Sequence, residues 1–284
     1  MPEHLFDRAA LVARSTKGLI LDVRGTLVDP VEDAPMSAEL SALLCRVLKS
    51  GVVVALNTAT SITSLQTLVL QPLLDVVDCD LSTVEQNLVT YVDSSTAAYV
   101  LAAGRIQALP DFEFLHFSET ELATSLSVID QANRKFSLGD PPQKVKNGQV
   151  NFYCGGSWDR RLAISRFLNQ RLPRRVRAMV PTAKETIDIA VSDKKRGVQD
   201  LIRRFHLSGQ DLVAVGDSMQ EGAPDLDMVR AAMGVLGVQV GGVAAPGDII
   251  HIADRSAPAA VELLLKAILE KDRDRFQDPV VRHS

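Results

Sequence analysis

Four short apolar runs limit most strongly what this chain can fold into. "GLILDV" (18–23), "VVVALN" (52–57), "DLVAVGD" (211–217) and "MGVLGVQV" (233–240) are too short for helices. They carry apolar residues at successive positions, as strands buried on both faces do. Helical patterns lie between and after them. "SAELSALLCRVLKSG" (37–51) sets Leu40, Leu43, Leu44, Val47 and Leu48 on one face, with Ser37 to cap the start and Gly51 to end it. "SITSLQTLVLQPLLDVV" (61–77) predicts a helix broken near Pro72. "KKRGVQDLIRRF" (194–205) is amphipathic through Val198, Leu201, Ile202 and Phe205, and "SAPAAVELLLKAILEK" (256–271) predicts a last helix capped by Ser256. Strand–helix alternation at both ends implies an α/β fold with a Rossmann-like parallel-sheet core.

The middle of the chain differs. Its candidate strands "LVTYVD", "QVNFYCGG" and "ETIDIAV" are shorter and more polar, and the turn-rich "SLGDPPQKVKNGQ" (137–149) interrupts them. This reads as an inserted α+β cap domain over 89–186. The core is then discontinuous, 1–88 and 187–275, followed by a loose polar tail at 276–284.

A chain of 284 residues can bury one large core or two moderate ones. With 46% apolar and 23% charged residues it reads as folded rather than disordered. A net charge of −4 gives no sign of a nucleic-acid or anionic-membrane partner. The Arg-rich stretch 160–177 reads as a solvated helix face and turn, or as a basic rim that attracts an anionic substrate. Cys45, Cys79 and Cys154 are odd in number and far apart, so neither a metal site nor a disulfide framework follows. Each reads as a packing residue in a reducing compartment. Charges scattered through "MPEHLFDRAALVARSTKG" do not fit a signal peptide. No apolar run reaches the ~18 residues needed to span a bilayer. A soluble cytoplasmic protein is the expectation.

In open parallel sheets, ligands bind beyond the carboxyl ends of the strands. Asp22, Thr58 and Asp217 each stand at such an end, and Lys194 opens a helix that can reach the same crevice. Two carboxylates, a hydroxyl and an ammonium suit phosphoryl transfer to an Asp. One carboxylate attacks phosphorus. The other helps hold Mg²⁺, which prefers oxygen ligands. The hydroxyl and ammonium neutralise the phosphoryl oxygens.

Through these residues the chain resembles the haloacid dehalogenase superfamily of phosphohydrolases. "LILDVRGTL" is similar to the family's strand followed by D-x-D-G-T-L, and "VVVALNT" to its strand ending in Thr or Ser. "DKKRGVQDL" is similar to its Lys opening a helix, and "LVAVGDSMQEGAPDLDM" to its strand followed by G-D-S and further acids. The insert corresponds to the family's large C2-type cap, and "GTLVDPVEDAP" is weakly similar to trehalose-phosphate phosphatases. The resemblance implies Asp22 as nucleophile, with Thr58 and Lys194 holding the phosphoryl group. It implies Mg²⁺ held by Asp22, Asp217, the backbone carbonyl of Arg24, and either Glu221 or Asp225. The implied substrate is a small phosphorylated metabolite such as a sugar phosphate.

Arg24 departs from the pattern, because the family's phosphatases keep there the acid that protonates the leaving alcohol. Three readings stand. Arg24 pairs with a carboxylate such as Glu221 or Asp225 in an inert site, which makes the protein a phospho-ligand-binding pseudophosphatase. It clamps phosphoryl oxygens or a second substrate anion. Or it marks a substrate whose leaving group departs without protonation. His116, in the insert, is the candidate for a substitute base.

Overall fold

A computed structural model describes residues 16–30, 34–77, 79–139, 143–146, 148–181, 185–241, 249–252 and 256–277. Its larger sheet contains β1 (Gly18–Leu21), β2 (Val53–Asn57), β3 (Leu88–Val92), β4 (Ala97–Ala102), β5 (Arg105–Ala108), β10 (Leu212–Gly216), β11 (Leu236–Val240) and β12 (Ile250–Ile252). Their spatial order is β12-β11-β10-β1-β2-β3-β4-β5. Pairing is parallel from β12 to β3, and β4 and β5 add antiparallel strands at one edge. β1 therefore lies between β2, reached early in the chain, and β10, reached late. The crevice at their carboxyl ends is where this topology receives a ligand.

Alternation along β1 explains why its run is wholly apolar. Leu19 and Leu21 join one apolar cluster, with α1 (Ala38–Lys49) and α8 (Ala257–Gln277), while Ile20 joins the cluster on the other face with Val198 and Leu201 of α6 (Lys194–Phe205). Ser37 caps α1 as expected, accepting from the Leu40 N–H at 3.1 Å. The second helix, α2, runs through Ile62–Leu65, Gln66–Leu70 and Gln71–Leu74, and its middle part is a π turn. Pro72 gives the reason. It has no N–H for the Leu68 carbonyl, which instead accepts from Met36 N–H at 2.8 Å. The break thus falls just before the proline, and the chain continues as helix. α8 runs through Gln277, so the expected tail at 276–284 begins as helix. The rest of that tail and the N-terminal stretch 1–15 lie outside the described residues. No helix among the described residues is long and apolar enough to cross a membrane.

The smaller sheet contains β6 (Gln143–Val145), β7 (Gln149–Tyr153), β8 (Arg177–Met179) and β9 (Thr186–Ala190), in the order β6-β7-β9-β8, all antiparallel. α4 (Glu119–Phe136) and α5 (Trp158–Asn169) cover one of its faces, through Val128, Ile129, Ile164 and Leu168 against Val150, Phe152, Ile187 and Ile189. The expected insert boundary at 89 falls inside the larger sheet. "LVTYVD" supplies β3, a core strand buried at every position. Its polar residues are satisfied: Thr90 Oγ1 donates across the hairpin to Tyr99 O at 3.0 Å, and Tyr91 OH donates at long range to Asp200 at 2.8 Å.

Cys45 on α1 and Cys79, just before α3 (Leu81–Asn87), form a disulfide with Cα atoms 5.7 Å apart, inside the range the bond needs. The sequence expectation of unpaired thiols is thus corrected. A separation of 34 positions carries no local signal; α2 and the chain after it bring the two together. Cys154 is free and buried. Cysteine usage accordingly gives no argument for a reducing compartment.

Within the small body, Arg175 Nε donates to Glu121 in the first turn of α4 at 2.6 Å. That bond, followed by the Ser118 N–H of the capping box, pulls the Glu121 carboxyl down to about 2. A folded pKa below the unfolded one stabilises above the unfolded value, and the gain disappears as pH falls towards the folded value. Glu121→Gln should therefore lower the melting temperature at neutral pH by about 1–3 °C. The deficit should shrink between about pH 5 and pH 2. A deficit that stays constant in calorimetric scans across that range would rule out charge as its cause.

Candidate active site

Asp22 is the first residue past β1. Its N–H donates to Val215 O at 2.9 Å, which extends the pairing with β10 by one residue and fixes where the carboxylate points. The chain then turns sharply, with Val23 O accepting from the N–H groups of Leu27 (2.8 Å) and Val28 (3.1 Å). Gly25 takes φ +83°, and a Cβ there would lie 2.6 Å from Asp217 Oδ2. Glycine is required on both counts. Gly25→Ala should cost about 1–3 kcal/mol and displace Asp217. A melting temperature equal to wild type would refute that close approach.

β10 delivers Asp217 beside this turn, and β2 delivers Thr58, which is 1% exposed. Thr58 Oγ1 accepts from Thr60 N–H at 3.1 Å. Asn57, just before it, donates through Nδ2 to Lys194 O at 2.8 Å and accepts from Ser95 Oγ at 2.9 Å. These two bonds pin the first turn of α6 against the sheet edge. Lys194 starts that helix, as expected, and its Nζ lies 2.6 Å from both Asp22 Oδ1 and Asp225 Oδ1. The second Asp225 oxygen accepts from Ser218 N–H at 3.0 Å.

Burial opposes charge on Lys194, but the Asp22 and Asp225 carboxylates outweigh it, so its pKa is raised. Burial raises Asp225, and neighbouring Asp22 adds to this against the pull of Lys194. Asp22, Asp217 and Asp225 each offer an oxygen within 4.8 Å of the others. Three carboxylates and one ammonium leave a net charge of minus two in a largely buried cluster. A hard divalent cation matches both that charge and an all-oxygen donor set, and Mg²⁺ fits.

Glu221 is not part of this cluster. It is exposed and accepts twice from Arg230, at 3.2 and 2.7 Å. A turn explains the choice between the two acids. Ala223 N–H donates to Gln220 O, and Gly222 takes φ +85°, so Glu221 swings outward and Asp225 is returned to the site just before the short helix α7 (Leu226–Val229). Arg24 is half-buried and lines one cavity with Asp22, Thr58, Lys194, Asp217 and Asp225. Glu221 and Asp225, its suggested partners, are engaged by Arg230 and Lys194. His116 is exposed and lines no part of that cavity. In the Arg-rich stretch, Arg160, Arg161 and Arg171 donate to the carbonyls of Phe136, Pro181 and Phe167.

A structural comparison identifies the architecture. The N-terminally truncated, IMP-bound IMP-nucleotidase of Plasmodium falciparum superposes with a TM-score of 0.70 at 13% identity, over 90% of this chain and 68% of that one. A haloacid dehalogenase-like hydrolase from Bacteroides thetaiotaomicron gives 0.59 at 14% identity, over 89% and 99%. The protein has the haloacid dehalogenase-like fold. A trehalose-6-phosphate phosphatase related protein gives 0.51 at 17% identity, over 91% and 99%. No family model and no curated protein matches the chain by sequence.

Within this haloacid dehalogenase-like frame, the sequence reading missed two residues of the site. Asn57 orients Lys194 through the backbone, and its signal was hidden in an apolar run. Asp188 lines the cavity from β9 and is 5% exposed. Ile187 and Ile189 on either side of it face the small core, so strand alternation turns Asp188 towards the cleft. "TIDIA" carried that signal.

Proposed function

We propose that the protein is a Mg²⁺-dependent phosphomonoester hydrolase that works through a phosphoryl group carried on Asp22. The observation that supports this is the convergence of Asp22, Thr58, Lys194, Asp217 and Asp225 on one cavity. An Asp22 oxygen attacks phosphorus, the bond to the leaving oxygen breaks, and water then releases phosphate from the acyl phosphate. Lys194, 2.6 Å from Asp22, neutralises phosphoryl oxygens, and Thr58 donates to one of them. Asp22, Asp217, Asp225 and the Arg24 carbonyl would hold Mg²⁺. When bound, the ion supplies positive charge against the phosphoryl oxygens. The small sheet and its helices serve as the cap. Neighbours of the same fold are named for IMP and for trehalose 6-phosphate, which agrees with a small phosphorylated substrate.

A guanidinium does not give up its proton at working pH, so an arginine at position 24 cannot act as the general acid. Losing that acid costs ~10²–10⁴-fold where the leaving group is basic. The reading therefore favours leaving groups that depart unprotonated, as in acyl, anomeric, enol or aryl phosphates. With Mg²⁺, 4-nitrophenyl phosphate should be hydrolysed at least ~10²-fold faster than a simple alkyl phosphate. Equal rates would overturn the role given to Arg24. No phosphate release from either ester, with or without Mg²⁺, would favour the second reading that Arg24 motivates, a phospho-ligand-binding pseudophosphatase.

A further inference from the structure

The cavity around Asp22 adjoins a second one of about 190 Å³, and Arg24, Ala59, Thr60 and Asp188 line both. The second cavity lies against the uncovered face of the small sheet. Register places Lys144, Asn151 and Asp188 side by side across β6, β7 and β9, and pairs Tyr153 with Thr186 in another row. Val150, Phe152, Ile187 and Ile189 point the other way, into the apolar core. All five residues of those two rows line the cavity.

Three cations line this space: Arg24, Lys144 and Lys146. Lys146 Nζ donates to Ala59 O and Asp93 Oδ1, both at 3.0 Å. An ammonium has three donors, so one is left for a ligand. Lys144 is exposed and has no ion-pair partner among the described residues. Two carboxylates answer the three cations: Asp93, paired with Lys146, and Asp188 in the lining, which accepts from Asn151 Nδ2 at 2.6 Å. The hydroxyls of Thr60, Ser61 and Ser64 and the amide of Asn151 line the same space and suit an oxygen-rich occupant.

We infer that the leaving half of the substrate is small and polyhydroxylated and carries a second anionic group, a carboxylate or phosphate, held by Lys144 and Lys146 beside Arg24. This rests on the phosphohydrolase reading only for where the reacting phosphate sits. Tyr153 is the one aromatic side chain of the lining. A purine nucleoside would find little apolar surface there, so the specificity differs from that of an IMP-cleaving enzyme.

The test is calorimetric titration of Asp22→Asn protein, in Mg²⁺, with glucose 1,6-bisphosphate, glucose 1-phosphate and IMP. The two sugars share an anomeric phosphate and differ in the second anion. The bisphosphate should bind about tenfold or more tightly than the monophosphate, as one charge-assisted contact supplies. Lys144→Ala in the same background should cut that ratio to about threefold or less. Equal affinity for the two sugars, a ratio that Lys144→Ala leaves untouched, tighter binding of IMP, or no binding of any probe would each overturn the inference. Because binding is read without turnover, these outcomes are separate from phosphate release, which judges the hydrolase reading.

Discussion

Asp22→Asn should remove phosphate release, by ~10³-fold or more, the scale on which loss of a nucleophile acts. The amide is close to the carboxylate in shape but cannot attack phosphorus. The fold should survive for reasons visible in the cluster. The amide oxygen of the variant can still accept a hydrogen bond from Lys194, and Asp225 keeps its own 2.6 Å pairing with that ammonium. Removing one carboxylate also relieves repulsion, since Asp22 pushes the Asp225 pKa upwards. The expected result is a near-wild-type melting temperature with activity lost on every ester. Purified Asp22→Asn retaining more than a few per cent of wild-type turnover would sink the covalent route. A large fall in melting temperature would instead show that Asp22 serves the fold, and the loss of activity would then carry no mechanistic weight.

The parts of this arrangement that sequence could show are those set by local chemistry. β1, β2 and β10 announce themselves as apolar runs, and their last residues fall where a parallel sheet places ligands. α6 runs over Lys194–Phe205, where its periodicity puts it. What stayed hidden depends on contacts distant in the chain. β3 looked too polar for the core because the partner of Tyr91 lies at Asp200. The Cys45–Cys79 bond needs β2 and α2, which lie between them, folded back. Glu221 and Asp225 could not be separated by spacing, because the turn at Gly222 decides which acid returns to the site.

Lys194→Met should be the most destabilising single change in the site, and pH and Mg²⁺ should reveal why. The ammonium is 2% exposed and bridges two carboxylates, with Asp217 close by. Methionine fills similar volume but takes from Asp22 and Asp225 the ammonium they share. Breaking a buried pair in this way costs about 3–5 kcal/mol, on the order of 10 °C in a chain of this size. The sign with pH follows from Asp225, whose pKa burial already raises. Without the ammonium it rises further. A group with a folded pKa above its unfolded one is most favourable when protonated, and its stabilisation is lost as pH rises through the folded value. The deficit of Lys194→Met should therefore be largest near neutral pH and shrink towards about pH 4–5. In wild type, the raised pKa of Lys194 keeps its contribution intact across that same range. Mg²⁺ should raise the melting temperature of the variant more than that of wild type, because a divalent ion restores the missing positive charge and binds only the folded cluster. Scanning calorimetry near pH 5 and near neutrality, with and without Mg²⁺, reads all of this. A deficit indifferent to both pH and Mg²⁺ would mean that Lys194 stabilises through its packed stem rather than its charge, and the cluster would then lose its claim to be a cation site.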